Sequence, residues 1–198
     1  MDADIIDKLA GIEPGSALDM IRKRRPVARE QAQASYRALF APENADEVSM
    51  TERFAVAVFV AGLHGGDAGI AAHYAAGLTI SGASAELRAA IDGAIEAAKG
   101  QGPYGSYPAG PLSREDVAGP AHRVAAGTRQ ALGPRLAAVF DHVHLLVFHP
   151  RDAAPAALGA LLDTGWSTTG IVTLSQIVAF LSFQIRVVAG LRALAGAN

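Results

Sequence analysis

The densest run of chemically competent side chains lies between residues 64 and 73: His64-Gly65-Gly66-Asp67-Ala68-Gly69-Ile70-Ala71-Ala72-His73. An imidazole titrates near neutrality, so His73 is a candidate proton-transfer group and His64 a candidate second base of the same pocket. Glu52, upstream, could serve either ring as a carboxylate partner, and it is equally the kind of acid that a helix dipole favours in a first turn. Position 69 precedes His73 by one helical turn, which puts their side chains on the same helix face. The chain contains no cysteine. Thiolate catalysis, a disulfide framework and cysteine-ligated iron–sulfur clusters are therefore excluded.

The stretch Leu63 to His73 resembles the redox motif of the alkylhydroperoxidase AhpD and carboxymuconolactone decarboxylase superfamily, which reads roughly Leu-Asn-Gly-Cys-x-x-Cys-x-x-x-His. Gly66 and Gly69 stand where the two cysteines would be, and His73 takes the place of the proton-relay histidine. Thr51 to Gly66, nearly all apolar after Arg53, is similar to the superfamily's first active-site helix, and Ala160 to Val188 is similar to the closing helix of its peroxidase-related branch. The superfamily's glutamate position is occupied here by Phe54, and Glu52 falls two residues early, about 200° away around a helix. The resemblance implies an all-α, AhpD-like helical bundle that cannot run thiol peroxidase chemistry. It further implies an acid–base enzyme acting on a small organic acid or lactone through His73, assisted by Glu52 or His64, with no cofactor or metal. The alternative is a non-catalytic oligomeric binding or assembly protein of the same fold.

His142, His144 and His149 form the other histidine group. On a regular helix residues 142 and 149 share a face while 144 lies about 160° away, so the three cannot ligate one metal.

The elements that must position these residues are helical. Alanine is abundant and apolar residues recur at three- and four-residue spacing, which predicts helices over 3–10, 17–24, 26–40, 50–63, 67–78, 84–99, 113–131, 134–148, 153–163 and 167–195. Pro26, Pro134 and Pro155 suit first-turn positions, where a missing N–H has no intrahelical partner. Ser49 or Thr51, Ser113, and Ser167 or Thr168 are candidate N-caps. A Gly/Pro-rich loop over 100–112 separates two halves, and the helices at 50–63 and 134–148, each with its successor, read as related hairpins. The organisation expected is an N-terminal helical extension over 1–48 followed by one helical domain over 49–198.

Composition limits the partners. The net charge is −2 and only Arg22-Lys23-Arg24-Arg25 is locally basic, which reads as a solvated helix end and leaves no footprint for nucleic acid. Hydrophobic residues make up 51% and charged residues 18%, so apolar surface is expected to be buried between subunits of a homo-oligomer, chiefly along the closing helix. Gln176, Gln184 and Arg186 interrupt that helix and argue against a membrane span; they are expected to find hydrogen bonds at an interface. Acidic residues at the N-terminus are unlike an export signal, which points to a cytoplasmic protein.

Overall fold

A computed structural model describes residues 4–65 and 67–196, and among these the chain is all-α, with ten α-helices, two short 3₁₀ turns and no sheet. The helices are α1 (Ile5–Ala10), α2 (Ala17–Lys23), α3 (Pro26–Phe40), α4 (Met50–Leu63), α5 (Ala68–Ile80), α6 (Ala85–Ala98), α7 (Ala126–Leu132), α8 (Pro134–Phe148), α9 (Pro155–Leu162) and α10 (Thr168–Gly196). Their starts follow local chemistry. Pro26, Pro134 and Pro155 occupy first turns, while Asp4, Ser16, Ser49, Asp67 and Ser84 accept hydrogen bonds from backbone N–H groups that have no helical partner. Ser49 and Glu52 form a reciprocal capping box, and the Ser167 hydroxyl accepts from Gly170 N at 2.9 Å to open α10.

The centre of the molecule is α4. Its run of alanines, valines and Phe59 is apolar all round, and only a helix surrounded by others can bury such a surface. It packs on α5, α6, α8 and α10. Phe59 stacks on Phe140 of α8 with ring centroids 4.1 Å apart and planes 1° from parallel, so the two long helices that lead their hairpins meet face to face. Ile5, Ile6 and Leu9 of α1 and Leu39 and Phe40 of α3 join the same core. Between α1, α2 and α3 lies an ion-pair network: Arg22 binds Asp4 and Asp7, and Arg29 binds Asp7 and Asp19. Part of the basic run is therefore structural and not a solvated end, since Arg22 keeps only 8% of its side chain exposed.

One expected helix does not form as such. Instead of a helix over 113–131, a 3₁₀ turn spans Pro111–Glu115, an irregular segment follows, and only Ala126–Leu132 is α-helical. Ser113 accepts from Gly110 N and donates to Pro108 O, so its hydroxyl closes the turn and does not cap a helix. Gly105 and Val117 form an antiparallel bridge, Asp116 accepts from Tyr107 N, and Pro120 supplies no backbone donor and disfavours a helical residue before it. The Gly/Pro-rich loop is docked accordingly. Tyr104 N donates to Phe148 O at 2.6 Å, and the Arg151 guanidinium lies 4.2 Å from the centre of the Tyr107 ring.

The closing helix α10 runs against α1, α3, α4 and α8. Trp166 anchors its start, donating to Arg135 O at 3.1 Å beneath the Arg135 guanidinium. By length and composition α10 could cross a membrane, with 44% of its most apolar window buried within the fold.

Candidate functional site

His73 projects from α5 into an open groove of about 700 Å³ lined by Lys8, Leu9, Gly69, Ala72 and Arg192. Asp67 begins that helix by accepting from Ile70 N at 3.0 Å, and Arg192 of α10 is ion-paired to Asp67 while also donating to Leu9 O at 2.5 Å. These bonds fix the helix start and one wall of the groove. A Cβ at residue 69 would lie 3.2 Å from Asp67 Oδ1 and 3.4 Å from Arg192 Nη2, so a side chain there would press on the Asp67–Arg192 ion pair. Gly69 thus carries no side chain where the resemblance calls for sulfur; Gly66 lies outside the described residues.

The His73 ring is held from below. Tyr36 of α3 places its hydroxyl 2.8 Å from His73 Nε2, with the Tyr36 ring packed between Phe40 and Phe180. Burial pushes the His73 pKa down from its ordinary 6.5, and the Lys8 ammonium adds to the shift; burial pushes the Tyr36 hydroxyl up. Near neutrality the pair is therefore an uncharged imidazole bonded to an uncharged phenol. When Nε2 donates to Tyr36 the lone pair on Nδ1 is free to accept a proton, and when Tyr36 donates, Nδ1 carries the hydrogen. Lys8 has no ion-pair partner among the described residues and is exposed at the groove, so a positive charge stands beside the His73 imidazole.

His64 lies elsewhere. It ends α4, its Nε2 is 3.1 Å from the Ser182 hydroxyl, and it lines a second cavity of about 550 Å³ with Ser175, Ser182 and Arg186. Burial lowers its pKa, and Arg186 lowers it further. No residue lines both this cavity and the His73 groove. Glu52 serves neither ring: one carboxylate oxygen accepts from Ser49 N at 2.8 Å, and the other accepts from Arg135 Nε at 3.0 Å. It sits a dozen residues before His64, about 18 Å along the helix axis, and has no place in either pocket. Phe54, where the resemblance expects a glutamate, fills the space between α4 and α5 against Phe40, and its ring closes on Gly77 so tightly that no larger residue fits there. The three candidates are therefore not one constellation. Tyr36, Lys8 and Arg192 complete the His73 site, and nothing in local sequence marks them.

His144 and His149 converge with His122, which nothing in its local sequence marks. His122, in the irregular segment before α7, approaches His144 to 4.8 Å between ring centroids, and His144 lies 6.1 Å from His149. His144 and His149 meet, contrary to a regular-helix projection, because α8 ends at Phe148 and His149 leaves the helix at φ −127°. His149 bonds Asp152 through Nδ1 and Pro120 O through Nε2, each at 3.0 Å. His144 is pushed down to about 4 by burial first and then by the neighbouring His122 and His149. His142 lines the same cavity of about 350 Å³ as His122, His144 and His149, and both of its buried ring nitrogens lack a partner. Among the described residues no group of three histidine, cysteine or acidic side chains is arranged to hold a metal ion. His122 was hidden because its segment carried helical spacing, while the Val117 bridge and Pro120 keep it out of a helix.

Comparison with known proteins returns no family model, no curated protein and no solved structure that matches the chain.

Proposed function

We propose that the chain is a cysteine-free member of the AhpD and carboxymuconolactone decarboxylase superfamily that performs general acid–base chemistry on a small organic acid or its lactone in the His73 groove. The observation that carries this reading is the Tyr36–His73 hydrogen bond at the wall of an open groove bearing an unpaired lysine. A neutral imidazole in contact with a phenol can take a proton from a substrate carbon or oxygen through Nδ1 while Tyr36 fixes the tautomer. Lys8 supplies net positive charge for a carboxylate, whereas Arg192, neutralised by Asp67, contributes directed N–H groups. Glu52 and His64 do not line this groove, so the acid–base work there falls to His73 with Tyr36.

The test is an NMR titration of the His73 ring with short dicarboxylates and hydroxy acids, paired with turnover assays on their lactones. A carboxylate that binds raises the His73 pKa, and Lys8→Ala abolishes the shift. For any turnover found, His73→Gln and Tyr36→Phe separate the roles: the first removes proton exchange and lowers kcat by about 10²–10⁴-fold, while the second changes the pH profile. Binding without turnover, unaffected by His73→Gln, favours the alternative of a non-catalytic binding protein. A His73 ring unresponsive to every carboxylate refutes the site.

A further inference from the structure

The cavity beside His64 is polar at one end and apolar along its length. Ser175, Val178, Ala179, Ser182 and Arg186 present one face of α10 to it, over about 16 Å of helix. Leu146, Val147 and Phe148 at the end of α8, with Pro103 of the docked loop, supply apolar walls. Ser175 adds little polarity at its end, because its hydroxyl is turned back on Ile171 O at 2.9 Å. The volume of about 550 Å³ is that of a small-molecule site.

The other end offers donors and no negative charge. Arg186 donates through Nη1 to Ser182 O at 2.9 Å and pairs with no carboxylate among the described residues, so its remaining N–H groups are unused by the protein. One turn back, the Ser182 hydroxyl lies 3.1 Å from His64 Nε2, and His64 Nδ1 has no partner among the described residues. His64 and Arg186 are the titratable side chains that line the cavity, and no described acid does. The Arg186 charge reaches the ring, since it adds to the burial that lowers the His64 pKa. An arginine on a helix surface is ordinarily a solvated charge with its stem on apolar neighbours. This one is tied one turn from a hydroxyl–imidazole pair, at one end of an apolar slot.

We propose that this cavity binds a medium-chain monocarboxylic acid, with its carboxylate on Arg186, Ser182 and His64 and its hydrocarbon tail along Val178, Ala179 and Leu146. The guanidinium and the hydroxyl donate to the carboxylate, and a neutral imidazole donates through whichever nitrogen carries the hydrogen. A single cation matches a monoanion, whereas a phosphate dianion would keep an uncompensated charge beside apolar walls. A slot of about 16 Å is filled by an extended chain and left mostly empty by a short organic acid. The site shares no lining residue with the His73 groove, and it does not depend on the chemistry proposed there.

NMR of the His64 and His73 rings in the full chain tests the proposal, with titrations of acetate, hexanoate, octanoate, decanoate and octanol below their micelle concentrations. Octanoate moves the His64 signals saturably and raises the His64 pKa, since a bound anion favours the charged ring. Each further methylene that enters the slot tightens binding about 4-fold. Arg186→Gln weakens octanoate at least about 10-fold, while circular dichroism stays unchanged because the position is exposed. Lys8→Ala leaves the His64 response intact, whereas the His73 response to short dicarboxylates depends on that lysine, so the two sites fail separately. A His64 ring that no carboxylate moves, equal affinity for acetate and decanoate, octanol bound as tightly as octanoate, or full affinity in Arg186→Gln would each overturn the proposal.

Discussion

Acid should destabilise this protein through its histidine cluster, and His144 carries a share that can be isolated. Its ring is buried between His122, Phe148 and His149, and its pKa falls from 6.5 to about 4, with desolvation as the main cause and Asp141 opposing weakly. A depressed folded-state pKa means that the unfolded chain takes up the proton first. The stabilisation is complete above the unfolded value and is lost as pH falls through 6.5 toward the folded value. For His144 this amounts to about 3 kcal/mol in all, and to about 2 kcal/mol between about pH 7 and pH 5. Replacing the ring with His144→Phe keeps a flat side chain against Phe148 but removes the titration. The Ala98 carbonyl loses its donor in that variant, a cost that is the same at both pH values and cancels in the comparison. Urea unfolding at the two pH values, with unchanged m, then gives the wild type a loss about 2 kcal/mol larger than that of the variant. Equal losses in the two proteins, or an NMR titration of the His144 ring near 6.5, would refute the reasoning.

His142→Leu removes two buried nitrogens that bond nothing and should stabilise the fold by about 1–3 kcal/mol in the same urea assay; a loss instead would reveal a buried water or ligand on that ring. Glu52→Ala breaks the capping box and the Arg135 contact together, and a decrease of about 1 kcal/mol with no change in carboxylate binding at His73 is expected. Gly77→Val drives a side chain into the Phe54 ring and should cost about 1–3 kcal/mol, read as a lower thermal midpoint; full stability would mean that α4 and α5 do not close as described.

Helix type and most helix limits were legible in the chain because their causes are local. A proline in a first turn, a serine or aspartate before an apolar run, and apolar spacing near 3.6 act within a few residues, and they hold for α3, α4, α8 and α10. The one long helix that failed, over 113–131, was lost to partners far along the chain: Val117 to Gly105 and the Gly119 backbone against the Tyr104 ring. The lack of thiol chemistry needed only the absence of cysteine. The site itself depended on the tertiary structure. Tyr36 reaches His73 across 37 positions, Arg135 takes Glu52 across 83, and Arg192 takes Asp67 across 125, pairings set by how α3, α8 and α10 pack around α4. Local sequence determined that His73 would stand on a helix one turn beyond a glycine. Packing decided that a phenol, not a carboxylate, would hold its ring, because Glu52 is held at the start of α4 by Ser49 and Arg135 while Tyr36 reaches His73.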